Sequence, residues 1–87
     1  MKIPEPLILY SRAQCHLCDR VIMMLDGAGL HWRPVDIDGD AALIERYGLR
    51  IPVLRRPDTG DELFYPFDEE RLMQFAAEAA PAGQLPR

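Results

Sequence analysis

Apolar positions along the chain change their period several times, and each change marks an element. Leu7-Ile8-Leu9-Tyr10 is a short continuous apolar run preceded by Pro4 and Pro6. Such a run reads as a strand buried on both faces, in the middle of a sheet. Ser11 to Gln14 form a polar loop. Beyond it Leu17, Val21, Met24, Leu25 and Ala28 recur at spacings of three and four, which predicts a helix with one apolar face. Gly27 and Gly29 end that pattern, with Gly29 the better placed for a left-handed cap. Trp32 to Ile37 reads as a second strand, and Pro34 inside it has no N–H to donate, so this strand belongs at an edge.

Asp38-Gly39-Asp40 is turn chemistry, and Asp40 is placed to cap a short helix carrying Leu43, Ile44 and Tyr47 on one side. Gly48 fits the end of that helix. Pro52 to Arg55 is a third strand, and Asp58-Thr59-Gly60 is a hairpin turn into a fourth at Glu62 to Tyr65. Asp68 can cap a last helix with Leu72, Met73, Phe75, Ala76 and Ala79 as its apolar positions, and Glu69 and Glu70 suit its first turn. The order is β-α-β-α-β-β-α. It predicts an α/β domain over residues 1–80, whose first half is a parallel βαβ unit. Residues 81–87, with Pro81, Gly83 and Pro86, read as a disordered tail.

The chain has 87 residues, which is one small domain, and 48% of them are hydrophobic, enough for a packed core. Ten Lys and Arg against 14 Asp and Glu leave a net charge of -4. A mildly acidic domain has no electrostatic reason to hold a nucleic-acid backbone or an anionic membrane. No apolar run is long enough to span a bilayer. Met1 to Tyr10 lacks the pattern of a secretory signal. The expectation is a cytoplasmic monomer with neither nucleic acid nor membrane as partner. In that compartment two cysteines are not a structural framework, so their spacing needs another reason.

Cys15-His16-Leu17-Cys18 follows the first strand and opens the first helix. A cysteine at a helix N-terminus sits among unpaired backbone N–H groups, at the positive end of the dipole. Both favour the thiolate, the form that attacks a disulfide. Cys15 is therefore the expected nucleophile, and Cys18, one turn on, the resolving thiol. Half of a zinc site is the competing use of a CxxC, but it needs two more ligands. The nitrogen donors are His16, inside the motif, and His31, beyond the predicted helix, so no metal site is expected. Two idle buried cysteines are the plainer alternative. His16 is either a cation favouring the thiolate or an exposed helix-start residue. Arg12, three before the nucleophile, either lowers the thiol pKa or holds a substrate carboxylate, unless it is an ordinary solvated loop arginine. Ile51-Pro52 begins the third strand. A cis bond there would aim the Ile51 N–H and C=O at solvent, where an extended peptide could pair with them. The residues alone leave the isomer open.

Taken in order, the strand, the CxxC at a helix start, Val35-Asp36-Ile37, Ile51-Pro52-Val53-Leu54 and the closing hairpin and helix resemble glutaredoxin over about residues 6–79. They are most similar to short bacterial glutaredoxin-like proteins without an assigned substrate. The resemblance implies a thioredoxin fold with a four-stranded mixed sheet in the order 2-1-3-4, flanked by helices. It implies a cis Pro52 facing the active site, a substrate backbone contact at Ile51, and a substrate-binding role for Arg12. It also implies thiol–disulfide oxidoreductase activity, an electron-transport chemistry running through Cys15 and Cys18. The substrate would be a protein or low-molecular-weight disulfide, with an unidentified reductase as partner.

Three departures matter. His16-Leu17 replaces the usual Pro-Tyr, and Arg50-Ile51-Pro52 replaces Thr-Val-Pro. The Gly-Gly pair before the last helix is replaced by Tyr65-Pro66-Phe67-Asp68. Bulky Tyr65, and Pro66 with no N–H, reshape the corner where glutaredoxins take the γ-glutamyl carboxylate of glutathione. No resident cofactor is expected, and glutathione is disfavoured as substrate. A non-catalytic protein-binding module on the same fold is the alternative. A cluster bridging two copies through Cys15 is a third, weakened by the same corner.

Overall fold

The computed structural model describes residues 6–77, in which the elements follow the expected order. They are β1 (Leu7–Ser11), α1 (His16–Gly27), β2 (Trp32–Asp36), a 3-10 turn (Ile37–Gly39), α2 (Ala41–Tyr47), β3 (Val53–Arg55), β4 (Glu62–Phe64) and α3 (Glu69–Ala77). The strands form one mixed sheet in the order β2-β1-β3-β4. β1 runs parallel to β2 and antiparallel to β3, and β3 pairs antiparallel with β4. This is the thioredoxin architecture expected from the chain. The tail at 81–87 and Ala79 lie outside the described residues.

Each face of the sheet has its own apolar cluster, because successive side chains on a strand point to opposite sides. Leu7, Leu9, Leu54 and Leu63 pack with Val21 and Leu25 of α1 and with Leu72, Phe75 and Ala76 of α3. On the other face Val53 packs with Ile37 and Tyr47, flanked by Tyr10, Leu43 and Ile51. β1 is buried on both faces, as its unbroken apolar run requires. β2, carrying Pro34, is the edge strand opposite β4.

Several boundaries differ from the expected ones, each for a local reason. β2 ends at Asp36 rather than Ile37, because the Asp36 carboxylate accepts the Asp38 N–H (2.9 Å) and starts the 3-10 turn. β3 begins at Val53, since Pro52 has no N–H for the ladder. β4 ends at Phe64, where the chain enters Tyr65-Pro66. In α1 the buried stripe is Cys18, Val21 and Leu25, whereas Leu17 is exposed. Positions 18, 21 and 25 share a face, and 17 lies about 100° round the helix from 18. Met73 of α3 is likewise exposed. Gly29 has φ +69° and closes α1. Gly48 has a right-handed φ of -53°, and the reason for glycine there is close approach: a Cβ would lie 2.6 Å from the Ile44 carbonyl oxygen.

Candidate functional site

The strand registers gather the chemistry-bearing residues at one end of the sheet. Ser11 at the end of β1 lies beside Asp36 at the end of β2, while Tyr10 faces Val53 at the start of β3, which faces Phe64 at the end of β4. The segments leaving β1 and β2, entering β3 and leaving β4 therefore meet. They carry Arg12 to Cys18, Asp36 to Asp40, Ile51-Pro52 and Tyr65-Pro66.

Cys15 and Cys18 are joined as a disulfide, with Cα atoms 5.2 Å apart. Cys15 is the N-cap of α1: its backbone is extended and its Sγ accepts the Cys18 N–H at 3.1 Å. Cys18 is buried against the core at 2% exposure, while Cys15 is half-buried. The two sulfurs are thus unequal in access and in hydrogen bonding. His16 is exposed at the first turn, and His31 is exposed before β2. Among the described residues no group of three His, Cys, Asp or Glu side chains is placed to hold a metal ion.

Arg12 is engaged. Its Nε donates to both carboxylate oxygens of Asp38 (3.2 and 3.3 Å), and its Nη2 donates to one of them. These bonds hold the guanidinium pKa above its ordinary value and the Asp38 carboxyl below its own. The pair ties the loop before Cys15 to the 3-10 turn after β2. Nothing in the sequence pattern pointed to Asp38 as the partner, because the two lie 26 residues apart and meet only through the parallel pairing of β1 and β2.

The Ile51-Pro52 bond is cis, as the resemblance implied, and so is Tyr65-Pro66. Pro52 is buried, and its carbonyl accepts the Tyr65 N–H at 3.4 Å. The expectation that Ile51 offers both backbone groups to solvent is corrected: its N–H donates to the Tyr47 carbonyl at 3.1 Å. The last turn of α2 takes that donor because Arg50 and Ile51 both fold back onto Tyr47.

Below this end sits a polar cluster that sequence reasoning missed. Tyr47, 2% exposed, stacks on Tyr10 with ring centroids 4.4 Å apart and donates its hydroxyl to Glu62. Arg55 Nη1 donates to the same carboxylate at 3.3 Å, with Arg46 at 4.0 Å. Burial, then the Glu62 hydrogen bond, push the Tyr47 phenol up to about 12. The signal in the sequence was a tyrosine at an apolar helix position, whose hydroxyl needs a partner once buried.

The sequence matches the glutaredoxin-like domain family (DUF836) over residues 6–76. The chain belongs to this family. Two structures of the protein XcR50 from X. campestris resemble it. The crystal structure is 50% identical, covering 79% of this chain and 92% of that one, with a TM-score of 0.74. The solution structure is 44% identical, covering 88% and 100%, with a TM-score of 0.75. The solution structure of Ne2328 from Nitrosomonas europaea is 29% identical, covering 85% and 93%, with a TM-score of 0.73. A glutaredoxin from Archaeoglobus fulgidus, 21% identical at a TM-score of 0.61 over 87% of this chain and 89% of its own, shares the fold. No curated protein is similar enough to match the chain. The chain is thus a glutaredoxin-like thioredoxin fold carrying a bonded Cys15–Cys18 pair. No helix among the described residues is long and apolar enough to cross a membrane.

Proposed function

We propose that this glutaredoxin-like protein is a cytoplasmic thiol–disulfide oxidoreductase cycling between the Cys15/Cys18 dithiol and their disulfide. The observation that carries the reading is the helix cap. Cys15 Sγ receives a backbone N–H, remains accessible and is bonded to a thiol position buried one turn along. The N–H that meets the sulfur in the disulfide is available to the thiolate after reduction, and the helix dipole adds to it.

The Cys15 thiolate attacks one sulfur of a substrate disulfide. That S–S bond breaks, a mixed disulfide with Cys15 forms, and the first substrate thiolate leaves. Cys18, losing its proton, attacks the Cys15 sulfur and expels the second substrate thiolate. The leaving thiolates take up protons. Two electrons have passed from the protein dithiol to the substrate, and a dithiol reductant restores the pair. An incoming extended segment pairs with the Ile51 carbonyl beside Pro52. Arg12, already neutralised by Asp38, acts chiefly by holding the 12–15 loop, with a substrate carboxylate competing for it against Asp38. Tyr65 and Pro66 occupy the corner that glutathione would need, which favours protein or other low-molecular-weight disulfides. No resident cofactor takes part.

The test is differential alkylation of the reduced protein with iodoacetamide across pH, read by mass spectrometry. Cys15 is expected to react faster than Cys18 at neutral pH, and Cys18→Ser, given a disulfide substrate in place of iodoacetamide, to accumulate a mixed disulfide on Cys15. Equal, slow labelling of both thiols would overturn the assignment.

A further inference from the structure

A shallow open groove of about 440 Å³ runs between α1 and the chain leaving β4, lined by Arg20, Met23, Met24, Tyr65 and Phe67. Its α1 wall follows from helical spacing: 20, 23 and 24 share one face. Its other wall is the rebuilt corner, where Tyr65 and Phe67 meet edge to face at 5.6 Å and pack on the main core. The Tyr65 N–H bonds the Pro52 carbonyl, so this wall is continuous with the cis-proline turn. The residues that displace a glutathione corner thus form the side of an apolar groove leading away from the same end of the sheet.

Two features say what fits it. Met23 is 73% exposed, and flexible, polarisable methionines beside aromatic rings adapt to varied apolar side chains. Arg20 stands at the rim, and among the described residues no ion pair or hydrogen bond engages it. In a chain of net charge -4, that is an exposed cation open to a carboxylate from a partner.

We propose that this groove docks the protein substrate of the Cys15–Cys18 site. The occupant is a peptide segment flanking the target cysteine, with an apolar side chain over Met23, Met24, Tyr65 and Phe67 and a carboxylate on Arg20. The inference rests on the thiol–disulfide reading and names its substrate class. The reach is consistent. Arg20 lies five residues along α1 from Cys15, about 8 Å of helix rise. Because the two positions are also about 140° apart round the helix axis, a connecting extended segment needs at least three residues, at about 3.3 Å each.

The experiment uses two synthetic peptides, each with one cysteine as a mixed disulfide with thionitrobenzoate. One is flanked by Leu and Glu, the other by Leu and Lys. The reduced full chain converts each to free peptide thiol and coloured thionitrobenzoate, and the ratio of the two rates is read. Wild type is expected to prefer the Glu peptide by about ten-fold, the scale of one charge-assisted hydrogen bond. Arg20→Glu should abolish or invert the preference. Arg33→Glu, the same charge change on the exposed edge strand β2, should leave it intact. A ratio unchanged by Arg20→Glu, or changed equally by Arg33→Glu, overturns the groove. If wild type reduces neither peptide, the redox reading has failed and the groove is judged by binding alone. Titration of methyl-labelled protein with the Glu peptide carrying Ser for Cys should then shift the Met23 and Met24 methyl signals, and no shift overturns it.

Discussion

Arg56 is a charged side chain held inside the apolar core, 3% exposed, and its environment explains how the fold tolerates it. Asp58 receives two of its donors, from Nε at 3.1 Å and Nη2 at 2.7 Å, and the Phe75 carbonyl of α3 receives Nη1 at 3.0 Å. The clamp joins the β3–β4 hairpin to the last helix. Arg56 holds the Asp58 carboxyl below its ordinary 3.8, chiefly through the hydrogen bond. A native value lowered in this way gives stability that is fully present above 3.8 and is lost as pH falls through the native value. Asp58→Asn is expected to cost about 2 kcal/mol, since it removes the negative charge that two of the buried guanidinium's donors meet. Urea unfolding at neutral pH checks the size, and the variant should show a shallower acid limb than wild type. Asp58 sits in a turn that the chain advertised as Asp-Thr-Gly, but nothing local showed that its carboxylate would face inward, because Arg56 is buried only once α3 closes over the sheet.

Among the elements, α1 and α2 differ in what secures them. α1 buries Cys18, Val21 and Leu25, is capped by Cys15, and ends at Gly29 with the Trp32 indole N–H donating to Asp26 at 2.9 Å. α2 is seven residues long and buries Tyr47, so its start depends on Asp40, whose carboxylate accepts the Ala42 and Leu43 N–H groups. Asp40→Ala should destabilise the protein by about 1 kcal/mol, measurable by denaturant titration, with a larger local effect in α2 than elsewhere. The same helix supplies the Tyr47 carbonyl that binds the Ile51 N–H, so loosening it should also release the turn that presents Pro52. The caps at Asp40 and Asp68 and the left-handed glycine were readable from residue type, because their hydrogen bonds are local. Leu17 was misread as a core position, because helical spacing alone does not say which of two adjacent stripes meets the sheet.

In the whole molecule the two faces of the sheet are unequally covered. Among the described residues α1 and α3 join the sheet in a cluster of nine buried residues on one face, while the other rests on the smaller cluster of Ile37, Tyr47 and Val53. Amide hydrogen exchange should therefore be slowest in β1 and β3 and fastest, among the regular elements, in α2. Equal protection of α2 and β1 would contradict this picture. By itself the chain determined its element order, the edge position of the Pro34 strand, the helix caps and the placement of Cys15 and Cys18 at a helix start. All of these follow from periodicity, backbone chemistry and contacts between near neighbours. Tertiary structure alone decided that Asp38 holds Arg12, that Tyr47 takes the Ile51 N–H, that Glu62 serves Tyr47 and Arg55, and that Tyr65 walls a groove against α1. Those partners lie on separate segments: the parallel β1–β2 pairing brings the Asp38 turn to the Arg12 loop, and the β3–β4 hairpin sets Glu62 beside Arg55 and leads the chain out through Tyr65 at the site end of the sheet.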